Sequence, residues 1–217
     1  FKIRNDGEVI KFNTVQEGSN QNAVIRGGVM ISKVDRETRQ YTSLGEAHLD
    51  GATFDIVNKS KRSVVVDGKE YKVGEVVKTI TSKLESDGRY IARTDIRTLP
   101  YGTYEIHETG TGTGYLFDSI SKAESYTFSI REDGKWVDLT QSKEQTSPAE
   151  GQAVFDNQVA REDWHFQKKD EESMERMDKI AWSVTSKTTG ETHIIVTDEN
   201  GTWGSSWNQH SLRCNNN

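Results

Sequence analysis

Apolar and polar positions alternate over short runs along most of the chain, the two-residue period of half-buried strands. Val29 to Val34, Phe54 to Val57, Ser63 to Val66, Tyr104 to His107, Tyr126 to Ile130 and Ile194 to Thr197 carry it, rich in Val, Ile, Thr, Tyr and Phe. Asp-Gly, Asn-Gly and Gly-Gly pairs punctuate these runs, as expected of turns between short strands. The pattern predicts an all-β chain. Only Asp170 to Lys179, charged and with Met174 and Met177 three apart, carries a competing period; it reads as a loop with one turn at most.

An internal repeat organises the strands. Phe1-Lys2-Ile3-Arg4-Asn5-Asp6-Gly7 recurs as Phe128-Ser129-Ile130-Arg131-Glu132-Asp133-Gly134, an offset of 128 − 1 = 127. Asn22-Ala23-Val24-Ile25-Arg26 matches Asn157-Gln158-Val159-Ala160-Arg161 at an offset of 157 − 22 = 135, and Val29-x-Ile31-x-Lys33 matches Trp164-x-Phe166-x-Lys168 at the same offset. The register shift falls within the polar stretch Gln141 to Gly151, where an insertion into a loop costs little. The repeat divides the chain into three: residues 1–26 as closing strands of a preceding module or a linker, 27–160 as a complete module, and 161–217 as the opening half of a following one. Tandem β-modules point to a stalk or fibre rather than a metabolic enzyme.

Composition narrows the function further. Of 217 residues, 32% are hydrophobic and 29% charged, and the net charge is −6 with both signs interspersed, which gives no electrostatic attraction to nucleic acid or to an anionic membrane surface. The single cysteine, Cys214, rules out an internal disulfide framework. No apolar run approaches the length of a membrane span, and no apolar leader core opens the chain. The first residue is Phe1, so an excerpt or a processed form is expected. His165, His193 and His210 are too scattered for ordinary zinc-ligand spacing, so neither a metal nor a cofactor is implied. Gly110-x-Gly112-x-Gly114 follows a strand and precedes no helix, unlike a phosphate-binding loop. Trp203 and Trp207 read as sandwich core in preference to a sugar-binding platform, and Lys59 to Arg62 as a solvated hairpin tip.

Parity singles out three polar residues. Residues two apart on a strand share a face, so Lys33 points the way of Val29 and Ile31, Glu108 the way of Tyr104 and Ile106, and Asn157 the way of Phe155 and Val159. Three strands each aim one polar group at an apolar interior. Lysine and glutamate are rarely buried unless paired, and burial lowers a lysine pKa while raising that of a glutamate. Two readings fit. In one, Lys33 snorkels at a strand end and pairs with Glu108 as an ordinary salt bridge, with Asn157 in a turn. In the other, a neutral Lys33 amine attacks the side-chain carbonyl carbon of Asn157, with protonated Glu108 hydrogen-bonded to the carbonyl oxygen and then shuttling protons, and ammonia leaves.

Five ordered motifs give the region a family likeness. Gly28 to Asp35, Leu49 to Ile56, Leu99 to Thr109, Gly114-Tyr115 and Val154 to Asn157 resemble the SpaA-type pilin domain, which shares the prealbumin-like (transthyretin-like, Ig-like) β-sandwich with the B-type repeats of Gram-positive collagen adhesins. The resemblance covers 27–160. It implies an autocatalytic isopeptide bond between Lys33 and Asn157, with Glu108 as the catalytic residue of the family's E-box, and a self-modifying structural protein rather than a turnover enzyme. It also implies an extracellular, cell-wall-attached setting on a Gram-positive bacterium, with neighbouring modules of the same protein as partners. The flanking counterparts are Asn22, as acceptor of the preceding module, and Lys168, as nucleophile of the following one. The other expectation is an adhesin module that grips a host protein or glycan through its end loops. One feature departs from the family: Thr109-Gly110-Thr111-Gly112-Thr113 stands where a proline usually precedes the Gly-Tyr pair.

Overall fold

A computed structural model describes residues 23–161, 165–185, 187, 190 and 192–204. The elements run β1 (Arg26–Asp35), β2 (Thr53–Asn58), β3 (Val64–Val66), β4 (Lys69–Tyr71), β5 (Val76–Leu84), β6 (Tyr90–Arg93), β7 (Leu99–Pro100), β8 (Gly102–Gly110), β9 (Tyr115–Leu116), the short helix α1 (Ser119–Ala123), β10 (Ser125–Ile130), β11 (Trp136–Asp138) and β12 (Val154–Val159). β13 (His165–Gln167), β14 (Ala181–Thr185), β15 (Thr192–Val196) and β16 (Thr202–Gly204) follow. Each predicted strand is present, its ends within three residues of those expected.

The strand path is β10-β8-β2-β5-β6-β1-β12-β9. β5 makes the corner: its Val76 to Thr81 stretch pairs with β2, and Ser82 to Leu84 pair with β6. The path folds into two facing layers, with β10, β8 and β2 against β6, β1 and β12. Between the layers lies one core that includes Val29, Ile31, Phe54, Ile56, Leu99, Tyr104, Ile106, Phe128, Ile130 and Phe155. Phe54 and Phe155 meet across the layers with ring centroids 4.9 Å apart, and Tyr126 meets Phe155 edge-on at 5.0 Å. The β3–β4 hairpin turns through Asp67 and Gly68, both at positive φ (50° and 78°), the geometry for which Asp-Gly is favoured.

The first and last long strands of this sandwich are parallel neighbours, with Ser32, Lys33, Val34 and Asp35 opposite Val154, Phe155, Asp156 and Asn157. Parallel neighbours need a crossover, and here everything from β2 to β11 lies within it. β1 is also buried on both faces, which simple alternation did not foresee. A second apolar cluster of Val34, Tyr41, Ile91 and Val154 covers its outer side. Ser32 is buried there because its Oγ lies 2.7 Å from the Tyr41 hydroxyl, which donates to the Gln141 carbonyl at 2.6 Å.

Beyond Arg161, β13 pairs with β16 and β14 with β15 as two separate ladders. Asp170 organises the turn expected between them, its Oδ1 accepting from the Glu172 and Ser173 amides. Phe166 packs on Trp182 and Trp203, with centroids 5.3 and 6.1 Å away, so Trp203 lies in an aromatic cluster; Trp207 lies outside the described residues.

The inter-layer aromatic contact gives a stability prediction. Phe155→Ala removes the ring that meets both Phe54 and Tyr126 and is expected to cost about 3–5 kcal/mol, read as a lowered urea midpoint. A loss under about 1 kcal/mol would mean that the layers do not depend on this contact.

Candidate functional site

The inward faces of three strands converge at one end of the core. Lys33 and Asn157 are both 0% exposed and Glu108 is 2% exposed. On β1 and β12, Lys33 faces Phe155 while Asn157 faces Asp35. Residues opposite each other in a ladder share a side, so Lys33 and Asn157 are diagonal neighbours, staggered by roughly 7 Å along the strands. A four-methylene lysine stem is long enough to span that step. Glu108 comes from the other layer, where its cross-strand neighbour is Phe54. Lys33 and Glu108 thus each sit beside one of the two phenylalanines that pack together across the core, which keeps their meeting point dry.

Lys33 Nζ lies 3.4 Å from Glu108 Oε1. Neither atom has a hydrogen-bond partner among the described residues, so the contact is an ion-pair approach more than a directed hydrogen bond. The other carboxyl oxygen, Oε2, accepts from Asn157 Nδ2 at 2.8 Å. One carboxyl therefore bridges the amine and the amide. The second Asn157 N–H donates to Ser121 Oγ at 2.8 Å, and the Asn157 carbonyl oxygen accepts from the Thr111 hydroxyl at 2.6 Å. This differs from the expectation that Glu108 would hydrogen-bond the carbonyl oxygen: Glu108 meets the amide nitrogen, and the loop after β8 brings Thr111 to the oxygen instead.

Burial sets the protonation chemistry. It lowers the Lys33 pKa from 10.5 to about 8, against the opposing pull of Glu108 and Asp156. Burial also raises Glu108, opposed by Lys33 and by the Asn157 hydrogen bond. Desolvation thus brings the two proton affinities towards each other, which favours sharing one proton over a fixed ion pair.

The family model of the SpaA prealbumin-like fold domain matches residues 27–145, more than half of the chain. The chain belongs to this family. Solved structures similar to it include the Bacillus anthracis TIE protein (19% identity, TM-score 0.49, covering 83% of this chain and 26% of that one). Others are a variant of BcpA, the major pilin subunit of Bacillus cereus (24%, 0.32, 56% and 30%), and the shaft pilin SpaA from Lactobacillus rhamnosus GG (14%, 0.31, 82% and 81%). The chain thus spans less than a third of the first two of these. No curated protein matches the sequence.

Around the three central residues, this SpaA-type domain has a polar surround that sequence reasoning missed. The one-turn α1 is capped by Asp118, whose carboxylate accepts from the Ser121 amide and hydroxyl, both at 2.9 Å. Arg36, just past β1, reaches Asp118 at 2.6 Å, Asp156 at 2.5 Å and Ser121 Oγ at 3.1 Å, and Arg39 also pairs with Asp156. Arg36 holds the Asp118 carboxyl well below the usual carboxylate range. This clamp fixes Ser121 beneath the Asn157 amide. Asp118 and Ser121 are three apart, an ordinary cap spacing, but nothing in the local sequence marks Arg36, 82 and 85 residues away from them, as their partner; the unusual Thr-Gly-Thr-Gly-Thr run was the one visible sign of Thr111.

Asn22 lies outside the described residues, as do His210 and Cys214. Lys168 is half-buried just after β13, its backbone held by Gly201 and Met177. Among the described residues, no cluster of three or more His, Cys, Asp or Glu is arranged to hold a metal ion, and no helix is long and apolar enough to cross a membrane.

The Lys33 shift predicts a pH dependence. A lysine whose folded pKa lies below its unfolded value binds protons more readily when unfolded, so stability rises as pH climbs from about 8 towards 10.5. The full effect is on the order of 3 kcal/mol. In an Asn157→Ala variant the urea midpoint should rise between pH 8 and 9.5, and adding Lys33→Met should remove that rise. Identical pH profiles for the two would show that the buried amine is not shifted.

Proposed function

We propose that this chain is a structural module of a Gram-positive cell-surface adhesin or pilin-like stalk, stapled by an autocatalytic isopeptide bond between Lys33 and Asn157. The supporting observation is the single buried carboxyl that stands 3.4 Å from the lysine nitrogen and 2.8 Å from the asparagine nitrogen. Membership of the SpaA prealbumin-like family supports the same reading.

The reaction follows from that bridge. With the shared proton on Glu108, the neutral Lys33 amine attacks Asn157 Cγ. Glu108 gives its proton to Nδ2 and takes one from Nζ, one oxygen serving each nitrogen. The Cγ–Nδ2 bond breaks, ammonia leaves, and an amide joins β1 to β12. Burial between the layers holds the reactants in place, which replaces a bimolecular encounter. Because the carboxyl ends as it began and the amide is stable, each molecule reacts once.

The product suits a stalk. It closes a loop of 157 − 33 = 124 residues, worth roughly 5 kcal/mol in unfolded-state entropy, and it does not depend on redox conditions. Since β1 and β12 are adjacent parallel strands, tension applied at both ends of the sandwich passes through the amide without unzipping the crossover between them. Residues 161–217 would then open the next module in line, with Lys168 as its nucleophile, and Asn22 would close the previous one; the neighbouring modules are the partners.

Intact mass tests the bond. The folded protein should be lighter than its sequence by one ammonia, and Glu108→Ala should restore the full mass; an unmodified wild-type mass would overturn the proposal. The pH profile tests the mechanism. The reactive pair carries one proton, lost with an apparent pKa of about 8, so crosslinking should slow above that pH, about tenfold per unit. A simple amine nucleophile would instead speed up as pH rises.

A further inference from the structure

The glycine-rich run after β8 is explained neither by a phosphate site nor by the three crosslinking residues. Its geometry is tightly constrained. Gly110 ends β8, and Tyr115 begins β9, which pairs with β12. Between them the Thr113 carbonyl accepts from the His48 amide at 2.9 Å, and the Gly114 carbonyl from the Ala160 amide at 2.8 Å. A Cβ on Gly112 would stand 2.0 Å from the His48 carbonyl oxygen and 2.7 Å from that of Asp50. Only glycine lets the loop lie this close, and the close approach brings the half-buried Thr111 over the end of β12.

There its hydroxyl donates to Asn157 Oδ1 at 2.6 Å. Among the described residues no other donor meets that oxygen. The two amide hydrogens are engaged by Glu108 and Ser121, so the amide plane is held with its oxygen towards Thr111. In any attack on Cγ, this oxygen gains negative charge as the carbonyl π pair moves onto it. A fixed donor aimed at the developing oxyanion is a recognised source of rate acceleration in a water-poor site.

We propose that Thr111 is a catalytic residue of the crosslinking reaction, its hydroxyl stabilising the oxyanion formed on Asn157. The inference rests on the isopeptide reading of the site. As the Lys33 Nζ–Cγ bond forms, the oxyanion tightens its bond to the Thr111 hydroxyl. When the Cγ–Nδ2 bond breaks and ammonia leaves with the proton relayed by Glu108, the pair returns to the carbonyl. Thr111 is neither consumed nor deprotonated. The division of labour is then complete: Glu108 handles the nitrogens and Thr111 the oxygen.

The test follows crosslinking by intact mass after chain made by cell-free synthesis, and kept in denaturant, is diluted into folding buffer. Thr111→Val should slow ammonia loss by about 10²-fold, and Thr111→Ser should restore a rate near wild type. The same Val substitution, placed in a Lys33→Ala background that cannot crosslink, should keep the fold and lower the melting temperature only by the several degrees that one lost hydrogen bond costs. Thr111→Val reacting at the wild-type rate, or unfolding the Lys33→Ala background, would overturn the role of Thr111 while leaving the bond itself standing. A wild-type chain that never loses ammonia would instead refute the underlying isopeptide reading.

Discussion

The structure turns on a lysine and a glutamate enclosed together between two β-layers. Burying such a pair is expensive, and its mutual attraction offsets desolvation only when the geometry is good. Here the amine and the carboxyl approach to 3.4 Å without a directed hydrogen bond, so as a plain salt bridge the arrangement is poorly optimised. The same arrangement is well suited to a pair that trades its proton and then ceases to be charged. Once joined in an amide, Lys33 no longer carries a charge that needs solvation. The cost of burial is thus a cost of the precursor, relieved by the proposed reaction.

The surroundings serve that constraint. Phe54 and Phe155 are the cross-strand neighbours of Glu108 and Lys33 and pack on each other, so water is excluded by the same contact that joins the layers. The parallel β1–β12 ladder sets the stagger between amine and amide. On the outside, Arg36 ties Asp118, Asp156 and Ser121 together, which holds the amide from below. Strands fix the amine, the carboxyl and the amide, while a loop and a single helical turn supply the hydrogen bonds that orient the amide.

Much of this was legible in the sequence because strand parity is a strong signal. Val29-x-Ile31-x-Lys33 and Tyr104-x-Ile106-x-Glu108 announce an apolar face ending in a charge, and the structure buries all six residues. Parity is silent about what lies beyond the strand. It did not show that the outer side of β1 is covered by Tyr41, Ile91 and Val154, so the burial of Ser32 came as a difference. Nor could it place Thr111 and Ser121, whose positions depend on a loop that closes over β12 and on an arginine clamp assembled from distant segments. The Thr-Gly-Thr-Gly-Thr run stood out only as a departure from family habit; its reason emerged when the carbonyls of His48 and Asp50 were found where a side chain on Gly112 would be.

The central claim is a covalent link between two named side chains. The most direct measurement is tandem mass spectrometry of a proteolytic digest of the folded protein. The account predicts one branched species in which the peptide containing Lys33 and the peptide containing Asn157 are joined through their side chains, with the mass of the two less one ammonia. Recovery of both peptides only as separate, unmodified species would contradict it.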